Sequence, residues 1–277
     1  MLCSFLAFSQ EAEFSVVPRL EVNKTGSEYG LGSSSLYTFL DGSFGENFSY
    51  SVSNHWLSTD TGSLYSNSFV VGEPDWVDWA YLTYSVGSFY VSAGKVALNT
   101  GGFEFYENDV DVFDILASTT WNESSVYSFG ATIGFTPWEN TCFELQYSQS
   151  GASIYWNGEY GPFSNSWAYS HNTVVGYDIL GLGNRLSFDK STYTLDIFSH
   201  DWSFLEAHVE AQFDILRNMS VSGIFNCTND DYRSAGLKML VFPFGSELLR
   251  VHALAAYDNL ENFSFSLGMT FNFNFEI

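Results

Sequence analysis

Asn262 to Phe275, NFSFSLGMTFNFNF, is the stretch on which the fold is decided. Phe263, Phe265, Leu267, Met269, Phe271, Phe273 and Phe275 take every second position, and Ser264, Ser266, Gly268, Thr270, Asn272 and Asn274 fill the gaps. A strict period of two is the signature of a β-strand with one apolar and one polar face. The outer face of a soluble sandwich would carry Lys, Glu or Arg. Here the polar face holds small groups and amides, as a surface lining a water-filled lumen does, while the apolar face suits lipid. A final strand of this kind, closed by aromatic residues near its end, is also the usual address of an outer-membrane β-barrel.

Composition points the same way. The 277 residues suit one large β domain or two ordinary ones. Aromatic residues make up 19%, with 27 Phe and 17 Tyr, and the Ser, Asn, Gly and Thr around them make a β-rich, helix-poor chain. Charged residues are only 15%, whereas a soluble surface usually takes about a quarter of the chain. Much of the surface therefore faces something other than water. No run of about 18 apolar residues occurs, so a bilayer is crossed only as a closed barrel, the other structure that satisfies every backbone group in lipid. The net charge of -23, from 32 acids against 9 Lys plus Arg, argues against nucleic acid and other polyanions, which need clustered bases. It favours cations, or else keeps the loops soluble.

Met1 to Ser9 (MLCSFLAFS) reads as the tail of a secretory signal, ending in the small-x-small triplet Ala7-Phe8-Ser9. The expected division is a signal-peptide remnant over 1–9 and one barrel domain over 10–277. Cys142 and Cys227 then fall at opposite ends of the barrel, so no disulfide is expected between them.

Alternating segments recur along the chain: Phe14 to Lys24, Glu28 to Asp41, Gly45 to Leu57, Asp75 to Ser85, Ser88 to Ala97, Ser124 to Thr136, Thr141 to Ser150, Leu180 to Phe188, Thr192 to His200, Glu206 to Asp214, Asn218 to Thr228, Tyr232 to Phe242, Glu247 to Asp258 and Asn262 to Phe275. Two weaker strands between Ala152 and Val175, broken at Gly161-Pro162, bring the total to about sixteen. The fold expected is thus all-β, a transmembrane antiparallel barrel of even strand number. Short turns, among them Asp41-Gly42-Ser43, Gly87 and Asp189-Lys190-Ser191, alternate with a set holding both long connections, Ser58 to Pro74 and Leu98 to Glu123. Parity supports the threading. Ala207, Val209, Ala211 and Phe213 oppose Glu206, His208, Glu210 and Asp214, and Val251, Ala253, Ala255 and Tyr257 oppose Arg250 and His252. The six charged or ionisable residues Glu206, His208, Glu210, Asp214, Arg250 and His252 are therefore expected to face the lumen. A β-sandwich would alternate too, but its strands are usually shorter, about five or six residues.

The connection Leu98 to Glu123 carries Glu104, Glu107, Asp109, Asp111 and Asp114 interleaved with Phe103, Phe105, Tyr106 and Phe113. Its aromatic residues need something to pack on. One reading is a constriction loop folded into the lumen, whose five acids narrow the pore and set a cation preference. Another is an external loop packed on its neighbours. A calcium site is a third, although an EF-hand needs Gly and Glu where Asp114 and Thr120 stand. No metal, cofactor or catalytic residue is assigned: the five histidines are dispersed and neither a His-x-Glu-His metal spacing nor a Gly-x-Ser-x-Gly elbow occurs. His208 and His252 read as wetted polar residues, with a membrane-embedded hydrolase the least favoured alternative.

Several stretches carry a resemblance: Phe14-Ser15-Val16-Val17-Pro18-Arg19-Leu20, Phe39 to Gly45 (FLDGSFG), Trp79 to Gly87 (WAYLTYSVG) running into Val91-Ser92-Ala93-Gly94-Lys95, and the final strand. Together they resemble the porin superfamily that includes the phosphate-selective porins O and P. The resemblance implies a sixteen-stranded barrel in the outer membrane of a Gram-negative cell, through which small solutes diffuse, often as a homotrimer and with its third loop in the lumen. Anion selectivity does not carry over, because a phosphate path needs a ladder of Arg and Lys that 9 bases among 32 acids do not build. The function expected is a porin-like, cation-preferring diffusion barrel with lipid and small solutes or cations as partners. The alternative is a structural barrel subunit of a larger outer-membrane assembly, prompted by the shortness of many external connections.

Overall fold

The alternation that runs through the sequence becomes an inverted polarity in three dimensions. On the final strand Phe263, Phe265, Leu267 and Met269 are 39 to 47% exposed, while Ser264, Ser266 and Thr270 are at most 6% exposed. The computed structural model describes residues 10–25, 28–30, 34–58, 77–106, 113, 116–124, 126–231, 233–259 and 262–276. The proposed signal remnant and most of the first long connection lie outside the described residues.

Eighteen strand segments form one sheet. They are β1 (Gln10–Thr25), β2 (Glu28–Gly30), β3 (Ser35–Phe44), β4 (Phe48–Ser58), β5 (Val77–Val86), β6 (Phe89–Ala97), β7 (Tyr127–Trp138), β8 (Thr141–Ser148) and β9 (Gly151–Tyr160). The second half continues with β10 (Phe163–Asn172), β11 (Tyr177–Phe188), β12 (Ser191–His200), β13 (Phe204–Leu216), β14 (Met219–Thr228), β15 (Arg233–Val241), β16 (Leu249–Asp258), β17 (Asn262–Phe271) and β18 (Phe273–Glu276). β2 and β3 are two parts of one stave, both paired to β1. β17 and β18 are likewise one stave, interrupted at Asn272 and paired along its length to β1. The wall therefore has sixteen staves, each antiparallel to the next, and β1 closes the ring with Arg19 opposite Thr270 and Phe14 opposite Phe275. Closure excludes the sandwich and leaves no open edge, which is what a sheet in hydrocarbon requires.

The outer wall is a continuous apolar surface: Leu82, Val91, Ile133, Leu145, Ile154, Leu237 and Leu267 are each more than 40% exposed. The inner wall is lined by Ser, Thr, Asn and charged groups that the narrow interior buries. Glycine lets two turns close, Gly45 (φ 65°) between β3 and β4 and Gly161 (φ 64°) between β9 and β10. The first of these corrects the turn expected at Asp41-Gly42-Ser43. Gly42 stays in the ladder opposite Ala12 and Tyr50, and its lack of a side chain makes room for the Tyr50 ring, which a Cβ there would strike.

Cys142 follows the Glu139–Asn140 turn on the lumen side of β8, and Cys227 lies beside Phe225's outward row near the opposite end of β14; both thiols are free. An arginine placed in the apolar row at mid-wall should be costly. Leu267→Arg is expected to reduce folding free energy in lipid vesicles by about 2–4 kcal/mol, against a much smaller change for the lumen-side Ser164→Arg, measured by reversible denaturant unfolding.

Candidate functional site in the barrel lumen

After β6 the chain turns inward and lies along the inner wall. The Asn99 amide donates to Gln146 Oε1 at 2.8 Å and its side-chain amide to Glu144. Gly101 and Gly102, with φ of 78° and 83°, then press directly against β11. A Cβ on Gly101 would lie 2.6 Å from the Gly181 carbonyl oxygen, and one on Gly183 would lie 2.8 Å from the Gly102 Cα. Two glycines in the loop thus meet two in the wall, and the Gly102 amide donates to the Ser166 carbonyl at 2.9 Å. Gly181-Leu182-Gly183, inconspicuous in the sequence, is the seat of the loop. Its signal was the inward parity of both glycines, between Ile179 and Arg185 on the same face of the strand.

Carboxylates fasten the rest of the loop. Asp196 on β12 accepts the backbone amides of Phe103 (2.9 Å) and Glu104 (3.1 Å). A single 3₁₀ turn, Glu104–Tyr106, leads to the residues beyond it, and the chain returns through a short helix, α1 (Thr119–Ser124). Ser118 caps α1, its Oγ accepting the Trp121 amide at 2.9 Å, as short polar residues do at helix starts. Glu206 on β13 accepts the amides of Thr119 and Thr120 at 2.8 Å each and the Thr120 hydroxyl at 2.7 Å. Hydrogen bonds to a charged acceptor contribute about 1.5–3 kcal/mol each, so the loop is held firmly at this point. Among the described residues of the loop, Phe113 reaches furthest round the wall, under the Arg19 guanidinium (4.4 Å) and against the His252 ring (4.8 Å).

The reading of an external loop is thereby replaced: the described part of the connection lies inside the barrel. Glu104, expected at the narrowest point of the pore, is turned toward the wall, where it is 9% exposed and accepts the Ser118 amide (2.8 Å) and hydroxyl. Burial pushes its carboxyl up to about 7, with Asp196 adding to the rise and His208 opposing it. Glu107, Asp109, Asp111 and Asp114 lie outside the described residues. The other six have separate duties. Glu206 caps α1, His208 meets Asn226 Oδ1 at 2.6 Å, and Glu210 pairs with Lys238 at 2.8 Å. His252 is buried and meets Glu21, itself paired to Arg19 at 2.6 Å. Arg250 lines a lumen cavity together with Glu13, Asp41 and Glu247, and Asp214 lies exposed beside Lys190 and Arg217 at one barrel end. His55 is bonded to Asp78, which also accepts the Ser53 hydroxyl (3.1 Å); the serine meets the carboxylate, so these three do not align as nucleophile, base and acid.

The loop crosses the wall from β8 round to β16; one cavity, of about 690 Å³, remains between its Phe103 and Thr136, Asn157 and Arg185, and further open space lies against β1–β7. There an aromatic band missed in the sequence crosses the inner face: Tyr37 and Phe39 (6.1 Å), Phe39 and Trp79 (5.7 Å), Trp79 and Tyr127 (6.0 Å). The rings belong to β3, β5 and β7, and the stave between the first two presents only Ser53 opposite both Phe39 and Trp79, which lets those rings touch across it. Below the band, one cavity of about 580 Å³ is lined by Glu13, Asp41, Glu247 and Arg250, and a neighbouring one of about 460 Å³ by Glu144, Asn99 and Phe105. The two adjoin at Trp79 and Tyr81.

No family model matches the chain, and no curated protein matches it. Solved structures do. A mutant of the Rh. blastica porin superposes with a TM-score of 0.69 at 14% identity, covering 96% of this chain and all of its own. A triple mutant of the Rhodopseudomonas blastica porin gives 0.64 at 15%, and a structure described as "Asymmetric conductivity of engineered proteins" gives 0.65 at 13%, both with the same coverage. At such identities the likeness is one of fold: the chain has the general porin fold. These structures support the porin fold in general and not the particular family of the phosphate-selective porins O and P.

Two outcomes are expected of the loop. Gly183→Val should dislodge it and lower stability by about 1–3 kcal/mol, the cost of overpacking, with protease cleavage appearing between Leu98 and Val126. Because the Glu104 carboxyl is raised when docked, its contribution to loop stability is complete below its ordinary value of 4.5 and is lost as pH rises through about 7. Protection of the loop from cleavage should fall over that range in the wild type and stay level in Glu104→Gln.

Proposed function

We propose that the protein is a diffusion channel of the Gram-negative outer membrane, passing small solutes and preferring cations. The observation that carries this reading is the lumen itself: polar cavities left beside a wall-bound loop, inside a barrel whose exterior is apolar. Support for a cation preference comes from its lining, where Glu13, Asp41 and Glu247 face Arg250. Carboxylates at a low-dielectric constriction lower the energy of cations relative to anions. Glu107, Asp109, Asp111 and Asp114 join this set as proposed constriction acids, while Glu104 and Glu206 act in fastening the loop. Small solutes are the partners of the pore, and a homotrimer is the assembly to look for in mild detergent.

A second reading, a structural barrel within a larger outer-membrane assembly, draws on the shortness of several connections on the side of the long loops, such as Gln149–Ser150 and Asp201–Ser203. Planar-bilayer recordings separate the two. A channel should give unitary currents and a reversal potential on the cation side in a salt gradient. Replacing Glu13, Asp41 and Glu247 with Gln or Asn should move that potential toward anions, most at low ionic strength where screening is weak. A folded, heat-modifiable protein that gives no current refutes the channel and leaves the structural subunit.

A further inference from the structure

The aromatic band and the lumen carboxylates are arranged in two successive rows. The ladder aligns Ser15, Phe39, Ser53 and Trp79 in one row, and Glu13, Asp41, Ser51 and Tyr81 in the next. Residues two apart on a strand are about 7 Å apart on the same face, so Asp41 stands one step from Phe39. Asp41 and Glu13 are exposed to the lumen and Phe39, Trp79 and Tyr81 are half-buried. Trp79 is fixed by its indole N–H, which donates to Ser51 Oγ at 2.8 Å, so its ring is not free to turn away.

We infer that these two rows form a binding site for organic ammonium ions, on the reading that the barrel is a channel. A ring face attracts a cation within about 6 Å of its centroid, and the attraction grows where water is partly excluded. A carboxylate one step away neutralises the same charge. An ammonium nitrogen carrying methyl or short alkyl groups meets both requirements at once, with its carbons on the rings and its charge toward Asp41 and Glu13. A hydrated metal cation gains nothing from the aromatic row, and an anion is repelled by the acidic one. A neutral sugar gains nothing from the charge of the lining, where acids outnumber Arg250.

The test is choline chloride added to the purified, full-length protein conducting potassium in a planar bilayer, with maltose as a neutral comparator. Choline should reduce the potassium current saturably. Trp79→Leu, Phe39→Leu and Asp41→Asn should each raise the half-blocking concentration about fivefold, and Trp79→Phe, which keeps a ring, should retain most of the affinity. A conducting protein on which choline acts only in proportion to its concentration, or on which the ring substitutions have no effect, overturns this site and leaves the channel reading intact. Saturable block by maltose and not by choline assigns the rows to a sugar and overturns the ammonium assignment. Absence of any current refutes the channel and this site together.

Discussion

An unpaired peptide group in hydrocarbon is so costly that a sheet there has no tolerable edge. Everything else in this molecule depends on the pairing of β1 with β17 and β18 that removes the last edge. Once the ring is closed, period-two patterning must put the apolar row outside and the polar row inside. The interior polar groups then need partners, and the wall supplies some through pairs such as Lys238 with Glu210 and Arg19 with Glu21. The inserted loop supplies others.

That loop changes the meaning of the acid excess. Carboxylates on a lumen wall invite the assumption that they act on passing ions. Asp196, Glu206 and Glu104 instead accept backbone amides and hydroxyls of the loop or its cap, which offsets the cost of burying them. The charge that faces open lumen is carried by fewer groups, Glu13, Asp41 and Glu247 among them. Acids that hold the fold and acids that face solvent are thus different residues, Asp196 and Glu206 in the first group and Glu13 and Asp41 in the second.

Much of the architecture was legible because the alternation is a local property: sixteen staves, their parity and the inward orientation of His208, Glu210 and His252 follow from residues two apart. The first turn was misplaced because a glycine that accommodates Tyr50 looks, in one dimension, like a glycine that turns the chain. The site was less legible. Phe39, Trp79 and Tyr127 are far apart in sequence, and the first two meet because only the small Ser53 stands between them. The carboxylate of Glu104 could not be assigned to wall or water from its spacing, since the loop has no regular period over that stretch.

The seam between β1 and the final stave also has a temporal side. Arg19 finds Thr270 only when nearly the whole chain has been made, so the most distant contact in sequence is the one that completes the ring. Contacts of such separation form late, because loop-closure entropy must be met first. Until they form, both end strands expose edges and apolar rows in an aqueous compartment, a state prone to association. Association between chains therefore competes with closure for as long as β1 and the final stave stay apart, and the same apolar rows that suit the finished wall are the ones that drive it.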